Sequence, residues 1–268
     1  MNEINYYYRW LNVPDYKRPT IVCLHGFTGN GQTFAGLFND NKYNFLLVDL
    51  IGHGKSSVYV HPTYYQMDNV IDALKELMIK LKIKNYYVLG YSMGGRVAIA
   101  WAINDVKVKG LILESTRPGI ADEDVRKKRR LKDNQLAARI LTQPLADFVN
   151  YWERIPLFAS QQGLSQEVRK SIREQRLNQK AYGLAMSLMM MGTGQQENYW
   201  DQLPQQILIL LIVGELDEKF KKIAYKMCQK ARQIDLRILP GGHCVHLESP
   251  ERFEKTVLEW LKRNCDRR

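Results

Sequence analysis

Hydrophobic positions along this chain follow two alternating rhythms. Short apolar runs recur at 19–24, 44–49, 86–89, 108–114, 207–213 and 235–239. Each is bounded by polar residues or glycine, the pattern of a buried strand. Between them, apolar residues return at helical spacing. Met67, Val70, Ile71, Leu74, Leu77, Met78 and Leu81 form one such stripe, and Phe253, Val257, Trp260 and Leu261 another. Strand and helix in turn predict an α/β fold with a mostly parallel sheet and helices on both faces. Residues 1–18 read as a hairpin, with a strand-like segment INYYYRW and a turn at Val13-Pro14-Asp15.

The rhythm breaks between 117 and 200, where helical patterns dominate and no strong strand is found. This segment is predicted to be a helical cap inserted into a core made of 1–116 and 201–268. Ligands of open parallel sheets bind at the carboxyl ends of the strands. A cap over that edge would roof the substrate. Its methionine-rich stripe, Met186 to Met191, is expected to pack as core.

Composition narrows the picture. A length of 268 residues with 45% hydrophobic residues suits one large domain carrying an insertion. No apolar run reaches the length of a membrane span, and the N-terminus lacks the apolar stretch of a signal peptide. No membrane insertion is therefore expected. Cys23, Cys228, Cys244 and Cys265 are scattered and form no C-x-x-C pair. A reduced cytoplasm is the expected setting, with neither metal nor cofactor. The net charge of +11 carries no nucleic-acid motif with it. Its densest cluster is Arg126-Lys127-Lys128-Arg129-Arg130, either a solvated helix face or partly an anion site. Oligomeric state is not legible from the sequence.

The candidate chemistry centres on Gly90-Tyr91-Ser92-Met93-Gly94. It fits G-x-S-x-G, with a strand before it and a small-residue helix after it. That context lifts a nucleophilic serine above the sheet edge at a helix N-terminus. The His25-Gly26-Phe27 turn after an early strand suits the other half of an oxyanion hole. The donors would be the main-chain amides of Phe27 and Met93. The turn Asp49-Leu50-Ile51-Gly52-His53-Gly54-Lys55-Ser56 is typical of α/β-hydrolase chains. Asp49, His53 and His25 are read as turn formers rather than catalytic groups.

An acid is expected just after a late strand, where Asp217 fits best and Glu215 is the alternative. A base is expected after the last strand, where His243 follows two glycines and His246 is its rival. The chain order Ser92, Asp217, His243 suits the α/β-hydrolase fold. An imidazole held by a carboxylate takes the serine proton, and two amides stabilise an oxyanion. Such a triad supports hydrolysis of an ester, thioester or C–C bond, and equally proton abstraction from carbon. Arg96, one helical turn beyond Ser92, needs an anionic partner if buried, from the protein or from a ligand.

The segments GYSMGGR, LILESTRPGI, WERIPLFASQ, IREQRLNQ and GELDEKF, spread over core and cap, resemble the 2-succinyl-6-hydroxy-2,4-cyclohexadiene-1-carboxylate (SHCHC) synthases of menaquinone biosynthesis. The resemblance implies a lyase that eliminates pyruvate from a small tricarboxylate bearing succinyl, enolpyruvyl and ring carboxylates. A serine hydrolase acting on a small anionic ester or a C–C bond is the alternative. The resemblance also implies a triad of Ser92, His243 and Asp217, and anion contacts from Arg96, Arg176 and Arg129, with Arg130 the neighbour competing for the last. Tyr91 and Trp152 match site-lining aromatics, and Lys219 matches a further family position. Ala121 stands where some members carry a polar cap residue.

Overall fold

The computed structural model describes residues 4–265. The strands form one sheet in the order β1-β3-β2-β4-β5-β6-β7. They are β1 (Tyr8–Trp10), β2 (Thr20–Leu24), β3 (Asn44–Val48), β4 (Tyr86–Tyr91), β5 (Val108–Glu114), β6 (Leu208–Gly214) and β7 (Ile234–Leu239). Every neighbouring pair is parallel except β1 with β3. The expected N-terminal hairpin is absent among the described residues. Tyr8 pairs with Val48 and Trp10 with Leu46, so β1 reaches past β2 to cap the edge of β3.

Side chains alternate across the sheet as strand geometry requires. Val22 and Leu24 enter one buried cluster, and Ile21 and Cys23 the other. On the first face lie α1 (Met67–Lys80), α2 (Met93–Asn104) and α7 (Glu218–Lys230), which contribute Val70, Val97 and Met227. Short α8 (Val245–Glu248) and long α9 (Pro250–Cys265) close the other face with Val245, Phe253 and Trp260. Filling both faces is what makes β2 through β6 read as near-continuous apolar runs. β7, at the edge, is mostly half-exposed.

Between β5 and β6 the chain forms α3 (Glu123–Thr142), α4 (Leu145–Trp152), α5 (Gln166–Leu177) and α6 (Ala181–Met191). Several contacts dock this helical segment on the core, those of Gln179 and Gly183 among them. Gln179 donates to the Gly29 carbonyl at 3.1 Å and accepts from the Gly54 amide at 3.0 Å. Gly183 of α6 lies against the Gly52 backbone, where an added Cβ would stand 2.0 Å from the carbonyl oxygen. Met186 and Met191 are buried, whereas Met189 is exposed, so the methionine stripe packs only in part.

The chain crosses from β2 to β3 on one side and returns to β4 on the other. The strand order therefore reverses between β2 and β4, and their carboxyl ends part there to leave a crevice.

Candidate active site

The loop after β2 and the turn after β4 flank this crevice. At the turn, Ser92 holds φ 50° and ψ −102°, a left-handed conformation uncommon outside glycine. The surroundings hold it there. The Ser92 amide donates to the Glu114 carbonyl at 2.8 Å, and the Ser92 carbonyl accepts from the Thr116 hydroxyl at 2.8 Å. Gly94 permits the turn, because a Cβ there would lie 2.1 Å from the Leu24 carbonyl oxygen. The serine thus sits at the mouth of α2, whose first amides have no intrahelical acceptor. The amides of Phe27 and Met93 make no hydrogen bond among the described residues and flank the same crevice.

His243 lies in the loop after β7, buried between Phe220, Tyr91 and Phe158. Its Nε2 is 3.1 Å from Ser92 Oγ, and its Nδ1 is 2.7 Å from Asp217 Oδ2. Asp217 caps α7 and accepts from the Phe220 amide through Oδ1, which fixes the carboxylate. Glu215 is exposed and takes no part. A carboxylate acceptor at Nδ1 leaves Nε2 free to accept the serine proton.

His246 occupies a separate buried network. Its Nδ1 meets Glu114 Oε2 at 2.8 Å, its amide donates to Glu114 Oε1 at 3.0 Å, and its Nε2 meets Thr33 Oγ1 at 2.7 Å. Glu114 therefore bridges the two sides of the site. Its main chain holds Ser92, and its side chain holds the loop that carries His243. The other histidines serve turns. His25 Nε2 accepts from the Leu50 amide at 2.9 Å, while its Nδ1 faces the Gly26 carbonyl at 2.8 Å. His53 Nδ1 meets the Ile51 carbonyl at 3.0 Å. Asp49 accepts from the amides of Gly31 and Lys55 at 2.7 and 2.9 Å.

A cavity of about 110 Å³ opens above Ser92, between the strand ends and the helical segment. Arg96, Arg117, Arg129 and Lys219 line it, and no carboxylate side chain does. Arg96 is buried and makes no ion pair among the described residues. Its Nη1 donates to the Met191 carbonyl at 2.7 Å and to Gln196 Oε1 at 3.0 Å. Burial, followed by the charge of Arg129, pushes its pKa down to about 10, so it remains charged at neutral pH. Burial and Arg129 also hold Arg117 below the usual arginine range. Lys219 is lowered by partial burial and then by Arg129 and Arg117. Arg129 donates from Nε to Asp133 at 2.8 Å, while Arg130 is exposed and lines no part of the cavity.

Trp152 lines the cavity, with its ring edge-on to Phe27 at 5.4 Å. Its buried indole N–H has no partner among the described residues, nor has the hydroxyl of Ser115 on the same wall. Buried donors without partners mark a place where polar ligand atoms belong. Tyr91 lines the same cavity, but its hydroxyl is 2.5 Å from Cys244 Sγ, and burial holds its pKa well above the usual tyrosine range.

Arg176 lies elsewhere. It is buried over the Phe158 ring, 3.3 Å from Glu153 Oε1 and 3.2 Å from Gln161 Oε1, and it lines a neighbouring cavity. Phe27, Tyr91 and Phe158 are common to both cavities and stand between them. Ala121 is exposed and lines neither. Sequence reasoning did not single out Arg117. The one available signal was its place just beyond the carboxyl end of a central strand, where side chains reach the site.

A family model of the α/β hydrolase fold matches residues 19–250. The chain is 39% identical over 247 residues to a Bacillus subtilis (strain 168) protein that carries the SHCHC synthase name, covering 90% of this chain and 89% of that one. It is 31% identical over 242 residues to the SHCHC synthase of Escherichia coli (strain K12), covering 87% and 89%. The solved structure of MenH from S. aureus superposes with a TM-score of 0.89 at 35% identity, covering 97% of this chain and 98% of that one.

Proposed function

The chain belongs to the SHCHC synthases of the α/β-hydrolase fold, and from that membership we propose how its own residues carry the reaction. It is a lyase of menaquinone biosynthesis. It eliminates pyruvate from 2-succinyl-5-enolpyruvyl-6-hydroxy-3-cyclohexene-1-carboxylate to give SHCHC.

In the proposed mechanism the Ser92 hydroxyl gives its proton to His243 Nε2 and removes a carbon-bound proton from the ring. The contact of 3.1 Å between the two side chains supports this role, and Asp217 orients the imidazole. The electron pair released moves into the substrate's conjugated system. The bond between the ring carbon and the enolpyruvyl oxygen breaks, and the leaving enolpyruvate takes the proton held on His243 Nε2 at its methylene carbon and departs as pyruvate, which restores the neutral imidazole. Oxyanion character on a substrate carbonyl would be met by the Phe27 and Met93 amides, each such donor typically contributing about 3 kcal/mol. The same triad could attack an ester. The observation that carries the lyase assignment beyond family membership is the four-cation lining with no carboxylate, suited to a substrate with several carboxylates.

Residues 117–200 act as the cap that closes over the substrate, supported by the cavity's lining from both parts. The enzyme works in the cytoplasm, supported by the free thiols Cys23 and Cys244, both buried.

The test is release of pyruvate from the enolpyruvyl substrate, coupled to absorbance of the diene product. Ser92→Ala is expected to lower kcat by about 10²–10⁴-fold. Rapid cleavage of simple esters, with an acyl adduct on Ser92 and no pyruvate released, would overturn the assignment in favour of a hydrolase.

A further inference from the structure

Arg117 stands just past the carboxyl end of β5, in a loop tied down on both sides. Before it, the Ser115 amide donates to the Ile212 carbonyl at 3.0 Å, and Thr116 holds the main chain of Ser92. After it, the Pro118 carbonyl accepts from the Tyr199 amide at 2.8 Å, and the Gly119 carbonyl accepts from Trp200 Nε1 at 3.1 Å. The same Gly119 carbonyl accepts from Arg117 Nε at 2.9 Å.

That last bond fixes the inner edge of the guanidinium and leaves its outer pair, Nη1 and Nη2, without a partner among the described residues. Half-buried arginines normally answer to a carboxylate. Among the described residues none lines the cavity, and the charges acting on Arg117 and Lys219 are mainly cations, with Asp217 already held by His243. A purely structural arginine has no reason to stand half-buried among like charges. A ligand carboxylate gives it one.

We propose that Arg117 is a further substrate-binding and specificity-determining residue of this site, gripping one substrate carboxylate through its outer Nη1/Nη2 fork while Gly119 holds it in place. The proposal rests on the lyase reading and deepens it. With Arg96, Lys219 and Arg129, the last already paired through Nε with Asp133, it gives the pocket four cations for three carboxylates. Because the loop also anchors the Ser92 carbonyl, the grip fixes the substrate relative to the nucleophile.

The experiment compares the parent enzyme with Arg117→Ala and Arg117→Lys. It measures steady-state pyruvate release and, separately, calorimetric binding of 2-succinylbenzoate, an aromatic dicarboxylate. Arg117→Ala is expected to raise KM, and the Kd of the dicarboxylate, by about 10–100-fold. Arg117→Lys keeps the charge and loses the fork, so it is expected to recover only part of either loss. If Arg117→Ala fails to fold, Arg117→Lys decides alone, with at least a several-fold weaker Kd expected. KM and Kd within twofold of the parent in both variants would overturn the proposal. Should the parent bind the dicarboxylate but release no pyruvate, the lyase reading fails, while the titration still decides the role of Arg117.

Discussion

Arg96 stands one turn beyond Ser92 on the helix that the nucleophile opens. It is buried, bonded among the described residues only to a main-chain carbonyl and an amide oxygen, and made less basic by burial and by Arg129. Such a guanidinium is costly in the free protein and gains when an anion arrives. Arg96→Met should therefore raise KM for the tricarboxylate by about 10–100-fold, the worth of charge-assisted bonds of about 1.5–3 kcal/mol. The fall in kcat should be smaller, and steady-state pyruvate release checks both. The sequence marked Arg96 through its spacing from Ser92, because helical geometry is local. It could not settle Arg129 against Arg130. Adjacent helix positions point about 100° apart, and only the docked helix shows which of them faces the cavity. Nor could it place Arg176, whose partners Glu153 and Gln161 come together only when the helical segment folds on itself.

At the level of elements, the seam between α6 and the loop after β3 depends on two glycines. A Cβ on Gly183 would meet the Gly52 carbonyl oxygen at 2.0 Å, backbone against backbone, with no flexible side chain to yield. Gly183→Ala should cost about 1–3 kcal/mol. For a chain of this size that lowers Tm by about 2–12 °C. It should also lower kcat/KM by loosening the roof that carries Arg129 and Trp152. Differential scanning calorimetry and the pyruvate assay measure the two effects. The strands and their alternation with helices were legible because each buried strand reads as an apolar run regardless of its neighbours. The N-terminal hairpin was misread for the opposite reason. The pairing of β1 with β3 rather than β2 is decided by which sheet edge is left open, and no local pattern encodes that.

Over the whole molecule, acid stability should be governed in part by two buried histidines. Burial pushes His25 down to about 4, opposed by its bond to the Gly26 carbonyl. His53 is pushed down to about 3 by burial and then by His25. Both folded values lie below the ordinary 6.5, so the unfolded chain takes up protons first as pH falls. Their contribution is complete above pH 6.5 and is lost on acidification, until His25 titrates near 4 and His53 near 3. Each can account for about 3 kcal/mol or more over its full window. Tm should decline below pH 6.5, and His53→Leu should show a shallower decline between pH 6.5 and 4. An unchanged slope in a calorimetric pH series would acquit His53.

The cation-lined chamber has one further consequence, which concerns turnover. The substrate enters as a single trianion, and in the proposed site its three carboxylates face the four cations together. Elimination then splits that charge between two molecules: pyruvate leaves with one carboxylate, and the ring keeps two. Each fragment offers the cations fewer carboxylates than its parent did, so each should be held less firmly. Breaking the bond should thereby loosen the grip on what it creates.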